Sequence, residues 1–241
     1  MRDRVVANPE RTLELLPERQ TFSEIERVWD DMADMTEQIT VYDKIRQQYL
    51  NEIFSVDYLP KLPKLGALAN KREISVVLFN KTYRMTEDGI VDKSGGKPSH
   101  SVSVALCKYL LLCPEDRPVE SDWVSYRNFK DAAPFARAFA NNVEKALAES
   151  FSGRIAELRH SCLKLGGYPP EVSLSYDLIM RFDALPMVPI LLLFNDEDSE
   201  FPAQCSVLFE RRANVYLDVE SLAILGWLLA AYLQGTPEIA M

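Results

Sequence analysis

Apolar runs separated by polar turns organise this chain, and the longest of them lies in its C-terminal third. Val188 to Phe194 is seven apolar residues without a polar interruption, which predicts a strand buried on both faces. Pro189 is compatible with that strand because it stands at its start. The loop Asn195 to Glu200 then carries four carboxylates, and Cys205 to Phe209 forms a second apolar strand. After a turn, a short third strand ending at Leu217 is predicted.

Alternation of apolar and polar residues predicts the remaining strands. Glu73 to Phe79 is a strand, and an Asn80-Lys81 turn leads to a return strand over Tyr83 to Met85, as in a β-meander. From Val172 to Phe182 every second residue is apolar, so one face of this strand belongs to the core.

Apolar residues at helical spacing predict six helices. The first two begin at Thr21 and at about Thr40. The next three cover Ser101–Cys113, Pro134 to Gly153 and Arg154–Leu165, and the second of these has Phe135, Phe139, Val143 and Leu147 inward. The last runs from an Asp218 cap to Gly235.

These elements predict an α+β protein with a mainly antiparallel sheet of five to seven strands flanked by helices. Residues 1–20 are expected to be a disordered arm, residues 21–71 a helical N-terminal extension with a linker, and residues 72–241 the core domain. Ser75–Phe79 and Ser206–Phe209 are near copies in similar surroundings. An internal strand-turn-strand-helix duplication and coincidence are both open.

Composition and charge exclude several classes of protein. The chain of 241 residues is 47% hydrophobic and 26% charged, as expected of a soluble globular protein. It has no apolar run of the ~18 residues that cross a membrane and no N-terminal secretory signal, so a cytoplasmic location is expected. A net charge of −9 argues against nucleic acid as a partner.

The four cysteines are expected to be buried free thiols. No two of them form a CxxC pair, so the sequence indicates neither a zinc site nor an iron–sulfur cluster. They are Cys107, Cys113, Cys162 and Cys205.

The acidic loop is the main functional candidate. Asp196, Asp198 and Glu200 alternate with other residues, a spacing that can bring oxygen ligands onto Mg²⁺ or Ca²⁺, although the glycine of a calcium loop is absent. A solvated turn, a ligand site and catalysis are all compatible with this pattern. For Glu200 we expect a structural ion pair with an arginine, the choices being Arg181, Arg211 and Arg212.

Three aromatic residues, Trp123, Tyr126 and Phe129, follow one another closely. They can form a wall for a planar ligand such as a tetrapyrrole, or pack in the core. Neither His100 nor His160 lies in a motif with a serine or cysteine nucleophile. The sequence names no catalytic residue, metal ligand or cofactor. The candidate ligand-binding residues are Asp196, Asp198, Glu200, Arg211, Trp123 and Tyr126.

The second half of the chain resembles an uncharacterised family of bacterial and archaeal proteins, domain of unknown function 3786. The matching residues are Asp122-Trp123-Val124, Phe129, Phe151, Gly166-Gly167, Asp177, Leu185-Pro186, Pro189, Asp198 to Ala203, Leu208-Phe209 and Tyr216-Leu217. Some relatives carry an added iron–sulfur module, which implies redox or corrinoid-linked one-carbon metabolism. That implication does not transfer directly, because this chain has no cysteines at the required spacing.

Three functional hypotheses follow. The leading one is a non-catalytic binding domain for a small molecule, a cofactor or a protein partner, held near the acidic loop. The first alternative is a divalent-metal-dependent enzyme that uses the carboxylates of that loop. The second is a scaffold that docks another protein through its N-terminal helices.

Overall fold

The computed structural model describes residues 41–58, 60–70, 73–116, 118, 122–171 and 174–236. The chain divides into two units, Met1–Lys44 and Ile45–Met241, and only residues 41–44 of the first are described. The expected arm over residues 1–20 and the helix predicted from Thr21 lie outside the described residues. Within the described ranges, no helix has the length and apolar character that crossing a membrane requires.

The fold is α+β, with two antiparallel four-stranded sheets. The first sheet has the order β1-β2-β3-β4, and the second has the order β5-β8-β7-β6. The strands are β1 (Leu68–Asn70), β2 (Glu73–Leu78), β3 (Lys81–Thr86), β4 (Gly89–Asp92), β5 (Trp123–Ser125), β6 (Leu178–Leu185), β7 (Val188–Asn195) and β8 (Gln204–Glu210).

The helical segments include one π-helical turn, Ala140–Lys145, and one 3-10 turn, Tyr126–Asn128. The α-helices are α1 (residues 41–55), α2 (Leu62–Leu65), α3 (His100–Leu111), α4 (Ala133–Phe139), α5 (Ala146–Phe151), α6 (Ile155–Lys164), α7 (Ala213–Tyr216) and α8 (Val219–Gln234).

The single sheet of five to seven strands predicted from the sequence is wrong. β7 and β8 are neighbours as expected, but β2 belongs to the other sheet, where β1 and β3 already occupy its two edges. Near the turn that follows β2, the sheets meet through a backbone hydrogen bond of 2.9 Å, which the Phe79 N–H donates to the carbonyl of Ala184. Local hairpin closure therefore divided the strands into two groups.

Two other strand predictions need correction. The segment before Leu217 forms α7, with Ala213 and Tyr216 buried one helical turn apart. β8 is thus followed by helices and β2 by strands, so an internal strand-turn-strand-helix duplication is not seen. β6 begins at Leu178, opposite Phe194. Leu174 and Tyr176, predicted to be in the core, are 48% and 40% exposed because β7 extends no further to pair with them.

The buried strand and the last helix agree with the sequence predictions. From Val188 to Phe194 every residue of β7 is buried. The Asp218 carboxylate caps α8 by accepting a hydrogen bond of 2.8 Å from the Ser221 N–H, and Gly235 ends the helix in a left-handed conformation with φ of 66°. Burial opposes ionisation of Asp218. The Ser221 hydrogen bonds and Lys108, at 3.2 Å, outweigh it and lower its pKa.

A close contact between Phe139 and Gly226 joins α4 to α8. A Cβ atom at Gly226 would overlap the Phe139 ring, so only glycine leaves room for the ring at this point of α8. The Phe139 ring also stacks on Tyr126, with 4.4 Å between ring centroids. Phe139 is the last residue of α4, and the π-helical turn begins directly after it.

We predict that Gly226→Ala destabilises the protein, although alanine is the better helix former by about 1 kcal/mol. Overpacking against Phe139 should outweigh that gain and give a net loss of about 1 kcal/mol or more in the free energy of unfolding. Urea denaturation measures the change. Combining Gly226→Ala with Phe139→Leu should cost less than the sum of the single changes. A stabilised Gly226→Ala variant would contradict the proposed packing.

Candidate functional site

Two carboxylates of the acidic loop, Asp196 and Asp198, accept hydrogen bonds from backbone N–H groups. Asp198 Oδ1 accepts hydrogen bonds of 2.7 Å from the N–H groups of Glu200 and Phe201, and these two bonds lower the pKa of the Asp198 carboxyl. Asp196 Oδ1 accepts a bond of 2.7 Å from Gly153 N–H. Both aspartates therefore stabilise the loop conformation, as carboxylates commonly do in turns.

The Glu200 side chain is exposed, and, unlike the two aspartates, it forms no hydrogen bond with any residue that the structure describes. The three candidate carboxylates of the loop do not converge. In the described part of the chain, no group of three His, Cys, Asp or Glu side chains is placed to hold a metal ion.

The arginines expected to pair with Glu200 pair with other carboxylates. Arg212 Nη2 lies 2.6 Å from Glu210 Oε2, and Arg181 Nη2 lies 3.9 Å from Oε1 of the same carboxylate. Glu210 itself is buried, at 6% exposure. Arg211 forms an exposed ion pair of 2.9 Å with Asp122. The expected pairing of Glu200 with one of these arginines is thus wrong, and Glu210 is the structural carboxylate.

The predicted aromatic wall does not form as one surface. Tyr126 and Phe129 are buried at 2% and 6% exposure and pack around Phe209 in the core. Trp123 is half-buried, and the guanidinium of Arg181 lies over its ring at 5.7 Å. Core packing therefore accounts for two of the three rings.

The six candidate residues fall in four places. Asp196, Asp198 and Glu200 lie in the loop before β8, whereas Arg211 follows the other end of that strand, roughly 20 Å away at the usual rise per residue. Trp123 lies with Arg181, and Tyr126 lies in the core, where part of it lines a cleft. Only Tyr126 belongs to the site described next.

This site is a cleft of about 240 Å³, which we call the Glu144 cleft. Its polar side chains come from three elements that are distant in sequence, namely the end of β5 with the 3-10 turn, the π-helical turn, and β8. Its apolar wall comes from aromatic and alanine side chains. The lining residues are Ser125, Tyr126, Arg127, Ala136, Phe139, Ala140, Glu144 and Ser206.

The short length of β5 explains why Glu144 lies here. β5 pairs with β8 only as far as Ser125, opposite Leu208, so the edge of β8 beyond that point has no strand beside it. Glu144 Oε1 accepts a hydrogen bond of 3.1 Å from the Val207 N–H on this edge. A side-chain carboxylate thus replaces the carbonyl that a longer β5 would supply.

Burial dominates the electrostatics of Glu144 and raises the pKa of its carboxyl, while the Val207 hydrogen bond and the charge of Arg127 act in the opposite direction. Glu144 and Arg127 line one cleft without forming an ion pair within 4.0 Å. The hydroxyls of Ser125 and Ser206 form no hydrogen bond with any residue in the described ranges. The cleft therefore presents polar groups that the described protein atoms leave available.

The sequence contained one signal for this site. Phe135, Phe139, Val143 and Leu147 recur every four residues, and each such step turns about 40° too far for a helix of 3.6 residues per turn. A wider π-helical turn keeps the last three of these side chains in the core. Glu144, next to Val143, was missed because the stripe was interpreted as one regular α-helix.

These features define an α+β domain with a half-buried carboxylate in a small cleft. The family model described as Domain of unknown function (DUF3786) matches residues 62–232, and the chain therefore belongs to that family, as the resemblance implied. The matched residues include the whole lining of the Glu144 cleft. Comparisons with curated proteins and with solved structures give no significant match.

We predict that two glutamate-to-glutamine changes differ in their effect on the free energy of unfolding. Glu210→Gln removes a buried charge from two arginines and should lower the free energy of unfolding by roughly 3 kcal/mol. Glu200→Gln changes an exposed side chain and should alter it by less than about 0.5 kcal/mol. Urea midpoints of both variants, with and without added Mg²⁺, measure the difference. Equal effects of the two changes would be inconsistent with this assignment of the ion pairs.

Proposed function

We propose that this protein is a non-catalytic binding domain whose small-molecule ligand occupies the Glu144 cleft. The observation that carries the proposal is the π-helical turn, which brings a half-buried carboxylate into a cavity and leaves its Oε2 without a hydrogen bond from any described residue. Available polar groups beside apolar side chains in a concave cleft are typical of ligand sites. The sequence predicted a ligand beside the acidic loop, whereas the contacts support a ligand in the cleft.

The π-helical turn supports a functional role for this cleft. Such turns are uncommon and costly, because they replace part of the regular hydrogen-bond pattern of a helix, and they often occur at functional sites. Here the turn lies in the middle of a helical stretch that α4 and α5 continue on either side. The one carboxylate within it points to an exposed edge of β8.

The size of the cleft limits the ligand. The volume of about 240 Å³ lies below the roughly 300–1,000 Å³ of typical small-molecule pockets, so the cleft suits a small ligand. Tetrapyrroles, flavins and corrinoids are far larger. The proposal therefore concerns a small metabolite.

The alternatives have less support. A divalent-metal enzyme based on the acidic loop would need carboxylate oxygens that Asp196 and Asp198 already use for backbone N–H groups. Docking through the N-terminal helices would involve the helix predicted from Thr21, which lies outside the described ranges, and α1, whose Leu50 and Ile53 are buried in the core.

We predict that Ala140→Phe abolishes binding of small polar fragments. Ala140 lines the cleft, so a phenylalanine there should fill it, whereas Asn141→Phe adds the same ring at the next exposed position, outside the lining. A fragment screen by ¹⁵N NMR, with the Val207 amide as reporter, should give hits for the wild type and the Asn141→Phe control only. Hits that persist with Ala140→Phe would refute a ligand site in this cleft.

A second prediction concerns the pH dependence of stability. The pKa of Glu144 in the folded protein lies above its ordinary value of 4.5. The contribution of protonated Glu144 to the free energy of unfolding is therefore complete below pH 4.5 and is lost as pH rises through the pKa of the folded protein. Glu144→Gln keeps an acceptor for Val207 N–H without the charge. Its free energy of unfolding, relative to wild type, should therefore increase as pH rises above 4.5.

Urea denaturation between pH 4 and pH 8 measures this difference. The control is Glu149→Gln, which removes an exposed carboxylate, 68% exposed, one turn further along the helix. A pH profile for Glu144→Gln that matches the profile of this control would show that burial does not act on Glu144.

A further inference from the structure

We infer that the ligand of the Glu144 cleft is a small zwitterion, a molecule with a cationic nitrogen at one end and a carboxylate at the other. This inference rests on the proposed function and names the chemical class of its ligand. Its basis is that Glu144 and the exposed Arg127 line one cleft, where the charge of Arg127 acts on Glu144 without an ion pair within 4.0 Å between them.

Opposite charges beside one small cavity normally pair directly, because an ion pair satisfies both groups. Here the elements that carry them are each held in place. Glu144 is held by its bond to Val207 N–H, 3.1 Å long. Arg127 lies in the 3-10 turn, where the Tyr126 hydroxyl donates a bond of 2.8 Å to the carbonyl of Val219 and anchors the turn. The cleft therefore keeps two opposite charges available to a ligand.

A ligand with both charges complements both groups. Its ammonium would donate hydrogen bonds to Glu144 Oε2, and its carboxylate would accept them from the planar guanidinium of Arg127, which suits carboxylates. A molecule with one charge would pair with one group and face a like charge on the other. The hydroxyls of Ser125 and Ser206 can act as donors or acceptors beside either end.

The apolar wall and the volume limit the ligand further. Phe139 and the alanines Ala136 and Ala140 can contact a short hydrocarbon segment between the two charges. With a volume below that of typical small-molecule pockets, the class comprises small amino acids.

Isothermal titration calorimetry of the full chain with matched probes tests the inference. The zwitterions are glycine, L-alanine, L-proline, 4-aminobutanoate and 5-aminopentanoate, and the singly charged and neutral controls are butylamine, butanoate and butanamide. We expect at least one zwitterion to bind at least tenfold more tightly than every control. If a control binds as tightly as the best zwitterion, the inference is wrong, and the cleft remains a ligand site.

Two variants should exchange the preference. Glu144→Gln should weaken zwitterion binding at least tenfold and leave butanoate binding unchanged or stronger. Arg127→Gln should also weaken zwitterion binding at least tenfold, and it should leave butylamine binding unchanged or stronger. Arg137→Gln, an exposed arginine of α4 outside the lining, is the matched control and should bind like the wild type. Thermal unfolding confirms that each variant is folded.

The remaining outcomes separate this inference from the proposed function. If fragments perturb the Val207 amide and Ala140→Phe blocks them, but no zwitterion binds, then the cleft is a site for another class and this inference fails. If no compound of either kind perturbs that amide, both the inference and the proposed function fail. Zwitterion binding that Ala140→Phe leaves intact also overturns the inference, because the ligand would then bind elsewhere.

Discussion

The close contact between Phe139 and Gly226 is the interaction on which the geometry of the Glu144 cleft depends. α8 is buried along most of its length and has room for the ring only where it lacks a side chain. Tyr126 stacks on the same ring, and the two contacts fix the end of α4. The π-helical turn begins directly after this ring. Within the turn Val143 is buried in the core, and the next residue, Glu144, bonds to the Val207 N–H of β8.

The unpaired edge of β8 explains why one oxygen of Glu144 accepts a hydrogen bond, but it does not explain why this side chain is a carboxylate. Val207 N–H needs an acceptor because β5 ends too early to provide one. A glutamine would provide an equivalent oxygen without the cost of burying a carboxylate, which the raised pKa of Glu144 reports. The requirements of the strand alone would thus favour an amide. A charged group at this position, with Arg127 beside the same cleft, is better explained by a ligand than by stability.

Local patterns in the sequence were sufficient to predict a helix or strand that is defined by a single apolar stripe or run. They were insufficient to predict which strands or charged side chains would pair with each other. The apolar run of β7 and the Asp218 cap with the Gly235 end of α8 were predicted correctly. The division into two sheets was not, because strand alternation does not specify which strand becomes the neighbour. The same limit applies to Glu200 and Glu210. Two of the three candidate arginines, Arg181 and Arg212, pair with the buried carboxylate of Glu210 on β8, and not with Glu200 in the acidic loop.

The candidate site was missed for a related reason. Carboxylates spaced by two in a turn suit a metal ion, yet they suit backbone N–H groups equally well, and Asp196 and Asp198 serve the backbone. Charge density in a loop is therefore a weak indicator of function. The four-residue repeat of Phe135, Phe139, Val143 and Leu147 indicated irregular helix geometry, because its three steps drift by about 120° on a regular helix, at the limit of one apolar face. Of the two polar residues beside Val143, Asn142 is exposed and Glu144 bonds to β8. Such a repeat therefore indicates where a helix is irregular, and the contacts of each side chain decide which residue lines the cleft.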